Sequence, residues 1–191
     1  MNPNTTSQAF FENMYRRNSD PWSFASNPYE LSRYAAILRR IGHKTYKHVF
    51  EPGCSIGVLT AQLASVSERL DAVDISPTAV LRAKKRCQSF PNVHVVCGAL
   101  PHQVPEGAFD LVVFSEIGYY FAEAALHDII LRIVAPMCEG GTFLAAHWLG
   151  SSPDHLLSGY HVHEVIDMSD ELKHRKAELH EGFRLDLWER L

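Results

Sequence analysis

From residue 46 onward, short apolar runs alternate with segments in which apolar residues recur at helical spacing. This alternation is typical of βαβ units, in which helices connect parallel strands and cover the sheet that they form. The sequence therefore predicts an α/β fold built on a parallel sheet. Five strands are expected, at residues 46–51, 69–74, 93–97, 109–115 and 141–147.

Local signals place the helices. Ser76 is a natural N-cap, and Pro77 suits the first helical turn because its missing N–H would have no partner there. A later helix should close before Gly140 and Gly141. The expected helices are residues 7–17, 29–41, 77–87, 121–134 and 161–174.

The two ends of the chain add to this core. The first two helices predict a helical cap, and two extended runs at 177–180 and 183–191 predict a terminal antiparallel hairpin. A plain dinucleotide-binding fold would continue with parallel units instead. With 191 residues, 46% of them hydrophobic, we expect one domain over 1–191, divided into a cap or lid at 1–44 and a Rossmann-like core at 45–191.

Composition argues against several classes of function. A net charge of -4 with interspersed signs offers no basic stripe for nucleic acid. The apolar runs are too short to span a bilayer, and residues 1–8 lack the apolar segment of a signal peptide, so we expect a cytoplasmic protein with no membrane partner. The four cysteines form no CxxC pair and the eleven histidines show no ligand spacing, so no metal site is predicted. No oligomeric state is predicted.

The most informative stretch follows the first strand and reads Glu51-Pro52-Gly53-Cys54-Ser55-Ile56-Gly57. Glycines at such a turn let the backbone approach a ligand closely, although a tight strand-to-helix turn also needs them for steric reasons alone. About twenty residues later the second strand ends at Asp74, where an acidic residue accepts hydrogen bonds from ribose hydroxyls in folds of this kind. The order and spacing of the two signals indicate a nucleoside-containing cofactor.

Two other interpretations of this loop are weaker. A nicotinamide dinucleotide requires GxGxxG, whereas the last glycine here comes one position early, and Glu51 would oppose a pyrophosphate but suits the ammonium of a methionine moiety. The loop also matches GxSxG, the nucleophile elbow of serine hydrolases. However, only one strand precedes Ser55 and no Asp-then-His pair is placed at late strand ends.

Three segments together carry a family resemblance: the loop EPGCSIGVLT at 51–60, AVDIS at 72–76 and FDLVVFSEIGYY at 109–120. With them the chain resembles class I methyltransferases, and more narrowly the nodulation protein S (NodS) family, from the early Asp-Pro-Trp at 20–22 to the closing RLDLWER at 184–190. The resemblance implies a Rossmann-like class I methyltransferase fold, a seven-stranded mostly parallel sheet with a C-terminal antiparallel hairpin and an N-terminal helical cap.

The resemblance also implies S-adenosyl-L-methionine as cofactor and an oligosaccharide acceptor. Members of the family N-methylate the deacetylated glucosamine amine of a chitin oligosaccharide during synthesis of a lipo-oligosaccharide signal. Two alternatives stay open: a methyltransferase for another small N or O acceptor, and a cofactor-binding module without turnover. The residues expected to bind the cofactor are Trp22, Arg33, Glu51, Gly53, Cys54, Ser55, Gly57, Asp74, Ile75, Ala99, Leu100, Ser115 and Glu116.

The sequence departs from the class pattern at two positions. Ser55 stands where the middle residue of the loop is commonly glycine. Gly98 follows the third strand, where an aspartate often meets the adenine amine, so backbone groups of Ala99 and Leu100 are expected to hold the adenine instead.

Three residues are candidates for the acceptor site. Glu116 and Tyr119 come just beyond the fourth strand, at the edge where doubly wound folds bind ligands, and His147 ends the fifth strand. Methyl transfer mainly requires alignment of acceptor, methyl and sulfur, and a nearby carboxylate helps to orient an amine and take its proton. The plainer interpretations are a helix-start carboxylate for Glu116, core aromatics for Tyr119 and Tyr120, and a strand-end histidine for His147.

Two candidates lie in the N-terminal cap. Trp22 is expected to shield the sulfonium by cation–π contact, or simply to pack the cap. Arg33 is expected to bind the methionine carboxylate, or to be a solvated surface charge.

Overall fold

The computed structural model describes residues 5–191. Six helices and seven strands lie within this part of the chain, together with 3₁₀ turns at Ala64–Val66 and Gly118–Tyr120. The helices are α1 (Gln8–Arg17), α2 (Pro28–Ile41), α3 (Val58–Leu63), α4 (Pro77–Arg86), α5 (Glu123–Val134) and α6 (Gly159–Asp167). The strands are β1 (Tyr46–Pro52), β2 (Ser67–Asp74), β3 (Val93–Cys97), β4 (Phe109–Ser115), β5 (Met137–Trp148), β6 (Leu172–Leu179) and β7 (Phe183–Arg190).

The strands belong to a seven-stranded sheet with the order β3-β2-β1-β4-β5-β7-β6. The chain divides into two compact units, one formed by Gln8–Ala99 and the other by residues 5–7 with Leu100–Leu191. In the first unit, β2 pairs in parallel with β1 on one side and with β3 on the other. In the second, β4 pairs in parallel with β5, and β7 pairs antiparallel with both β5 and β6. The predicted parallel strands and terminal hairpin are thus present.

The inner strands are apolar along nearly their whole length. In β4, Leu111, Val112, Val113 and Phe114 are fully buried although successive side chains point to opposite faces. Such continuous burial is typical of parallel strands that are covered on both sides. Polar residues begin where these strands end, and a ligand is expected beyond the carboxyl ends of parallel strands.

Capping fixes where the helices start. The Ser76 hydroxyl accepts a hydrogen bond from the Ala79 N–H, and Pro77 occupies the first turn of α4, so this predicted start is confirmed. Asn27 caps α2 in the same way, through the N–H of Tyr29.

The last predicted helix was wrong at its C-terminal end. Instead of running over 161–174, α6 ends at Asp167, and the charged residues that follow belong to β6. This strand is outermost in the sheet and most of its side chains are exposed, so charges fit there and the usual alternation of apolar residues is absent. The charged composition favoured a helix only because the strand lacks a buried face.

The fifth strand also differs from its prediction, because it starts at Met137 and includes Gly140 and Gly141. Gly140 adopts a left-handed conformation with φ 75°, and the pairing with β4 shifts in register beside it. These glycines therefore form a bulge within a strand and do not end an element. The preceding helix, α5, begins at Glu123 and not at residue 121, because Phe121 forms an antiparallel bridge with Thr5.

The organisation as one domain over 1–191, with a cap or lid at 1–44, stays a prediction, and its first four residues lie outside the described part of the chain. None of the helices described has the length and apolar character needed to cross a bilayer.

Candidate cofactor and acceptor sites

The loop after β1 is held in an unusual conformation. Gly53, Ser55 and Gly57 all have positive φ, at 76°, 51° and 78°, the left-handed region that glycine adopts without strain. The N–H groups of Gly53 and Cys54 both donate to the Val73 carbonyl, at 2.7 and 3.0 Å. The loop is thus drawn back against the end of β2.

Gly57 is also required by packing. A Cβ at this position would lie 2.9 Å from the Cα of Ala83 in α4, which is closer than two carbons can approach. The glycine therefore lets α4 pack directly on the start of α3. This steric role accounts for Gly57, while Gly53 lies partly exposed at the loop surface.

Asp74 ends β2 and organises two turns at once. Its Oδ2 accepts a hydrogen bond from the Ser55 N–H at 2.8 Å, and its Oδ1 accepts one from the Ser76 N–H at 2.9 Å. Burial raises the pKa of Asp74 to about 6, although these two hydrogen bonds act to lower it. Each oxygen keeps a further lone pair, so the carboxylate can still accept from a ribose hydroxyl.

Glu51 is a buried acid at the end of β1, with 4% of its surface exposed. Burial raises the pKa of Glu51 to about 8. The nearby Thr60 hydroxyl acts to lower this pKa, and the negative charge of Asp74 raises it slightly. Among the residues described, no group donates a hydrogen bond to its Oε2. A buried carboxyl oxygen without a donor suits a cationic ligand group.

The N-terminal helix contacts this loop through Tyr15. The Tyr15 hydroxyl donates to Ser55 Oγ at 2.6 Å, and its ring lies edge-on to Trp22 at 5.6 Å between centroids. Trp22 in turn stacks on Phe24 at 5.4 Å. The predicted packing role of Trp22 is therefore present, and its contact with a cofactor stays a prediction.

Tyr15 is a site residue that the sequence interpretation missed. It occupies the buried side of α1, where a tyrosine indicates only an amphipathic helix. The signal that could have found it is the serine at position 55, since a serine in a left-handed turn requires a compensating contact.

Arg33 is buried, with 1% of its surface exposed, so the alternative of a solvated surface charge was wrong. Its guanidinium forms an ion pair with Glu30 one turn earlier in α2 and lies 5.8 and 5.5 Å from the ring centroids of Tyr29 and Tyr34. The guanidinium is thus already paired within the fold, and its contact with the methionine carboxylate stays a prediction.

The remaining cofactor candidates lie at strand ends. Ile75, Ala99, Leu100 and Ser115 are all partly exposed, and the buried hydroxyl of Ser115 has no hydrogen-bond partner among the described residues. Cys54 is buried, and burial raises the pKa of its thiol, with a further increase from the nearby carboxylates of Asp74 and Glu51. Cys54 is thus an unreactive packing residue of the loop.

The second unit carries the acceptor candidates. Glu116 follows β4 with a left-handed φ of 60°. Its Oε1 accepts from the Trp148 N–H at 2.6 Å, and its Oε2 accepts from the Tyr119 hydroxyl at 2.8 Å. No helix starts here, because Gly118–Tyr120 forms only a 3₁₀ turn, so the helix-start interpretation of Glu116 was wrong.

Tyr119 and His147 are more buried than expected for residues that contact a substrate. Tyr119 is 3% exposed and stacks on His155, with 3.8 Å between ring centroids. His147 is fully buried, and its Nε2 accepts from the Gly118 N–H at 3.2 Å. The structure therefore gives Tyr119 the role of a core aromatic that orients Glu116. A direct sugar contact by His147 stays a prediction with no support from its burial.

Two solved structures have folds similar to that of this chain. A methyltransferase from Pseudomonas syringae, described as putative, is 36% identical with a TM-score of 0.75, covering 86% of this chain and all of that one (100%). The N-methyltransferase NodS of Bradyrhizobium japonicum WM9, in complex with S-adenosyl-L-homocysteine, has a TM-score of 0.84 at 21% identity, covering 97% of this chain and 99% of that one. The chain thus has the Rossmann-like fold of class I methyltransferases, and the predicted fold class is confirmed.

Comparison of sequences narrows this class. The family model of nodulation protein S matches residues 7–168, and the chain belongs to the NodS family. The nodulation protein S of Bradyrhizobium diazoefficiens is 30% identical over 141 residues, 72% of this chain and 65% of that protein. That of Sinorhizobium fredii is 27% identical over 124 residues, 64% of this chain and 57% of its own length. The matched region thus spans less than two thirds of either relative.

Proposed function

We propose that this protein is an S-adenosyl-L-methionine-dependent N-methyltransferase whose acceptor is the free amine of an amino sugar or a chitooligosaccharide. Membership of the NodS family supports the reaction, since a protein of similar fold is described as an N-methyltransferase in complex with S-adenosyl-L-homocysteine. The observation that carries the proposal is Glu51, a buried acid with an oxygen that lacks a donor among the described residues. We also propose a cytoplasmic location, because four free cysteines suit a reducing compartment.

The residues of the first unit fit the cofactor. In this proposal Glu51 receives the α-ammonium of its methionine part, Asp74 accepts from the ribose hydroxyls, and Arg33 binds the carboxylate. The cofactor supplies a methyl group already activated by the positive charge of a sulfonium. The protein therefore has to bind, orient and exclude water, and it needs no acid of its own to activate the donor.

The residues of the second unit fit an amine. An amine attacks through its lone pair, so it must lose one proton before or during transfer. Glu116 is held by Trp148 and Tyr119 with both oxygens oriented. A carboxylate held in this way can accept a hydrogen bond and then a proton from the ammonium, which leaves a neutral amine whose lone pair is free to attack the methyl group. We propose that Glu116 binds the acceptor amine and that Tyr119 keeps the carboxylate in place.

Calorimetry tests the cofactor proposal. We expect binding of S-adenosyl-L-methionine and S-adenosyl-L-homocysteine but not of NAD. Because Glu51 has a pKa of about 8 and an ammonium favours its ionised form, binding at pH 7 should release a substantial fraction of a proton, measured in buffers of different ionisation enthalpy. Glu51→Gln should abolish this release, whereas the exposed control Glu68→Gln should keep it. Binding of NAD alone would contradict the proposal.

Methyl incorporation measured by mass spectrometry tests the acceptor. Chitooligosaccharides with a free terminal amine should be methylated, and fully acetylated ones should not. Glu116→Gln should lower turnover by about 10²-fold or more, with unchanged cofactor affinity. Tyr119→Phe provides the control, because it removes one hydrogen bond to Glu116 and keeps the carboxylate. Turnover of a hydroxyl acceptor without any amino-sugar product would favour a methyltransferase for another small acceptor.

A further inference from the structure

A row of buried polar side chains connects the turn after β4 with the C-terminal strand. His147 on β5, His163 on α6 and Asp186 on β7 have no solvent exposure. His147 Nδ1 lies 3.2 Å from His163 Nε2, and His163 Nδ1 lies 3.0 Å from Asp186 Oδ2. At its other end the row reaches the Gly118 N–H, which lies 3.2 Å from His147 Nε2.

The two ends of this row fix where every proton lies. The Gly118 N–H is a donor, so His147 Nε2 carries no hydrogen, and the neutral ring must carry it on Nδ1. That N–H donates to His163 Nε2, so His163 in turn carries its hydrogen on Nδ1, facing Asp186. The contact with Asp186 is close but bent, since the N–H does not point directly at the oxygen. Both histidines are therefore neutral and share one tautomer.

The charges around the row favour this arrangement. Burial raises the pKa of Asp186, but its close contacts with His163 and Arg184 lower it below its ordinary value, so it is an ionised acceptor. Burial lowers the pKa of His163, against the opposing effect of Asp186, while Arg184 lowers it further and Asp167 raises it. His174 Nε2 also faces Asp186, at 3.6 Å. An added proton on His163 would place two donors face to face.

The turn at the other end carries the acceptor candidate. Glu116 has a left-handed φ of 60°, which costs free energy in a residue with a Cβ. Gly118 is tightly enclosed, because a Cβ there would lie 2.4 Å from Val162 Cγ1 and 3.0 Å from His147 Nε2. The Tyr119 carbonyl accepts from the Leu156 N–H at 2.7 Å. A change in the His147 tautomer would put two donors together at Gly118 and displace this turn.

We propose that His163 and Asp186 are positioning residues, which hold His147 in its Nδ1–H tautomer so that the 116–120 turn presents Glu116 to the acceptor amine. The inference rests on the proposed function only for the role of Glu116. The proton order and its effect on the turn are properties of the fold and are measured without substrate.

Two substitutions at one position separate this role from simple packing. In His163→Gln, the amide oxygen accepts from His147 and the amide N–H donates toward Asp186, so the order of protons is kept. In His163→Phe, the ring volume is kept but both nitrogens are lost. Nitrogen-15 shifts of labelled histidines report the tautomers, hydrogen exchange reports the Gly118 amide, and kinetics separate kcat from KM.

We expect Nδ1–H tautomers for both histidines in the natural chain and for His147 in His163→Gln, with turnover of the Gln variant reduced only severalfold. In His163→Phe, His147 should lose its single tautomer, the Gly118 amide should exchange about tenfold faster, and kcat should fall about tenfold or more with unchanged cofactor affinity. If the Phe variant does not fold, Asp186→Asn provides the test. In that variant His163 should no longer have a single tautomer, and kcat should fall in the same way.

An Nε2–H tautomer of His147 in the natural chain, or equal kcat in the Gln and Phe variants, would overturn the proposal. If no acceptor is methylated by the natural chain, the proposed function fails, while the nitrogen shifts and the Gly118 exchange rate still decide whether the row positions the turn.

Discussion

At the scale of single residues, Glu51 shows how a buried acid makes stability depend on pH. In the unfolded chain this carboxyl ionises near its ordinary pKa of 4.5, whereas burial raises its pKa to about 8 in the folded protein. Between these two pH values the folded state holds a proton that the unfolded state has lost. The free energy of unfolding therefore decreases as the pH rises through this window. Above pH 8 the buried group must be charged.

This leads to a prediction for Glu51→Gln in the absence of ligand. The variant should match the natural chain in stability below pH 4.5 and exceed it at pH 9 by several kcal/mol, since each pH unit between the two pKa values contributes about 1.4 kcal/mol. Its affinity for the cofactor should fall. Thermal unfolding followed by circular dichroism across this pH range measures the effect. Parallel pH curves for the two proteins would show that Glu51 is not a buried acid.

Ser55 is the second residue whose chemistry explains a departure from the class pattern. A glycine would adopt φ 51° without strain, but it could not accept the hydrogen bond from the Tyr15 hydroxyl. The serine therefore has a strained backbone conformation, but its side chain forms a hydrogen bond that attaches the loop to α1. Its N–H also donates to Asp74, so this one residue connects the loop, the second strand and the N-terminal helix.

At the scale of elements, α1 is fastened to α4 and its N-cap at two points, the middle of α1 and its C-terminal end. Glu12 accepts hydrogen bonds from the hydroxyls of Ser76 and Thr78 and from the N–H of Thr78, at 2.7 to 3.1 Å. At the C-terminal end of α1, Arg82 of α4 donates a hydrogen bond to the Tyr15 carbonyl at 2.8 Å, as basic groups commonly do at helix C-termini. The helix is therefore positioned by polar contacts as well as by its buried tyrosine.

We expect Glu12→Ala to release α1 and weaken cofactor binding, because the Tyr15 hydroxyl would no longer be held at Ser55. Hydrogen bonds from Ser76 and Thr78 lower the pKa of Glu12 to about 2, so the attachment is complete above pH 4.5 and is lost as the pH falls toward 2. Hydrogen exchange over residues 8–17 should accelerate in the variant and slow on cofactor addition in the natural chain. Asn13→Ala, exposed on the same helix, is the control.

Elements with local signals were predictable from the sequence. The start of α4 follows from Ser76 and Pro77 alone, and β4 follows from an unbroken apolar run. The end of α6 and the start of β5 were missed because they depend on position in the sheet. A charged segment such as β6 forms a strand only because its neighbour supplies the hydrogen bonds, and Gly140 becomes a bulge only against a paired strand.

The sites were predictable to a similar extent. Glu51 and Asp74 lie at the ends of β1 and β2, and Glu116 follows β4, as the predicted strands require; their contacts with a cofactor or an acceptor stay predictions. The contacts of Tyr15 with Ser55 and of His163 with Asp186 could not, since their partners lie 40 and 23 residues away in the chain. Burial excluded a surface role for Arg33 that the sequence left open, while the cofactor contact of Trp22 stays a prediction.

At the scale of the whole molecule, the proposed methyl transfer requires alignment of the reacting groups and no further electrophile. The described residues contain no group of three His, Cys, Asp or Glu side chains arranged to hold a metal ion. We therefore expect turnover to stay within about twofold after exhaustive treatment with a chelator, since the donor is activated by its own charge. Methyl transfer assayed before and after dialysis measures this. Lost activity that one added divalent metal restores would contradict it.

The outermost strand has a consequence for the molecule in concentrated solution. β6 presents a row of backbone groups that another chain could pair with, and an unprotected edge of this kind promotes intermolecular sheets. Its exposed Lys173, Arg175 and Lys176 place charged side chains along that row, and ion pairs join Arg175 to Glu189 and Lys176 to Glu178. Pairing with a second copy would remove water from these charged groups, so the edge is a poor template for intermolecular sheets, and salt, which screens charges, should weaken this effect.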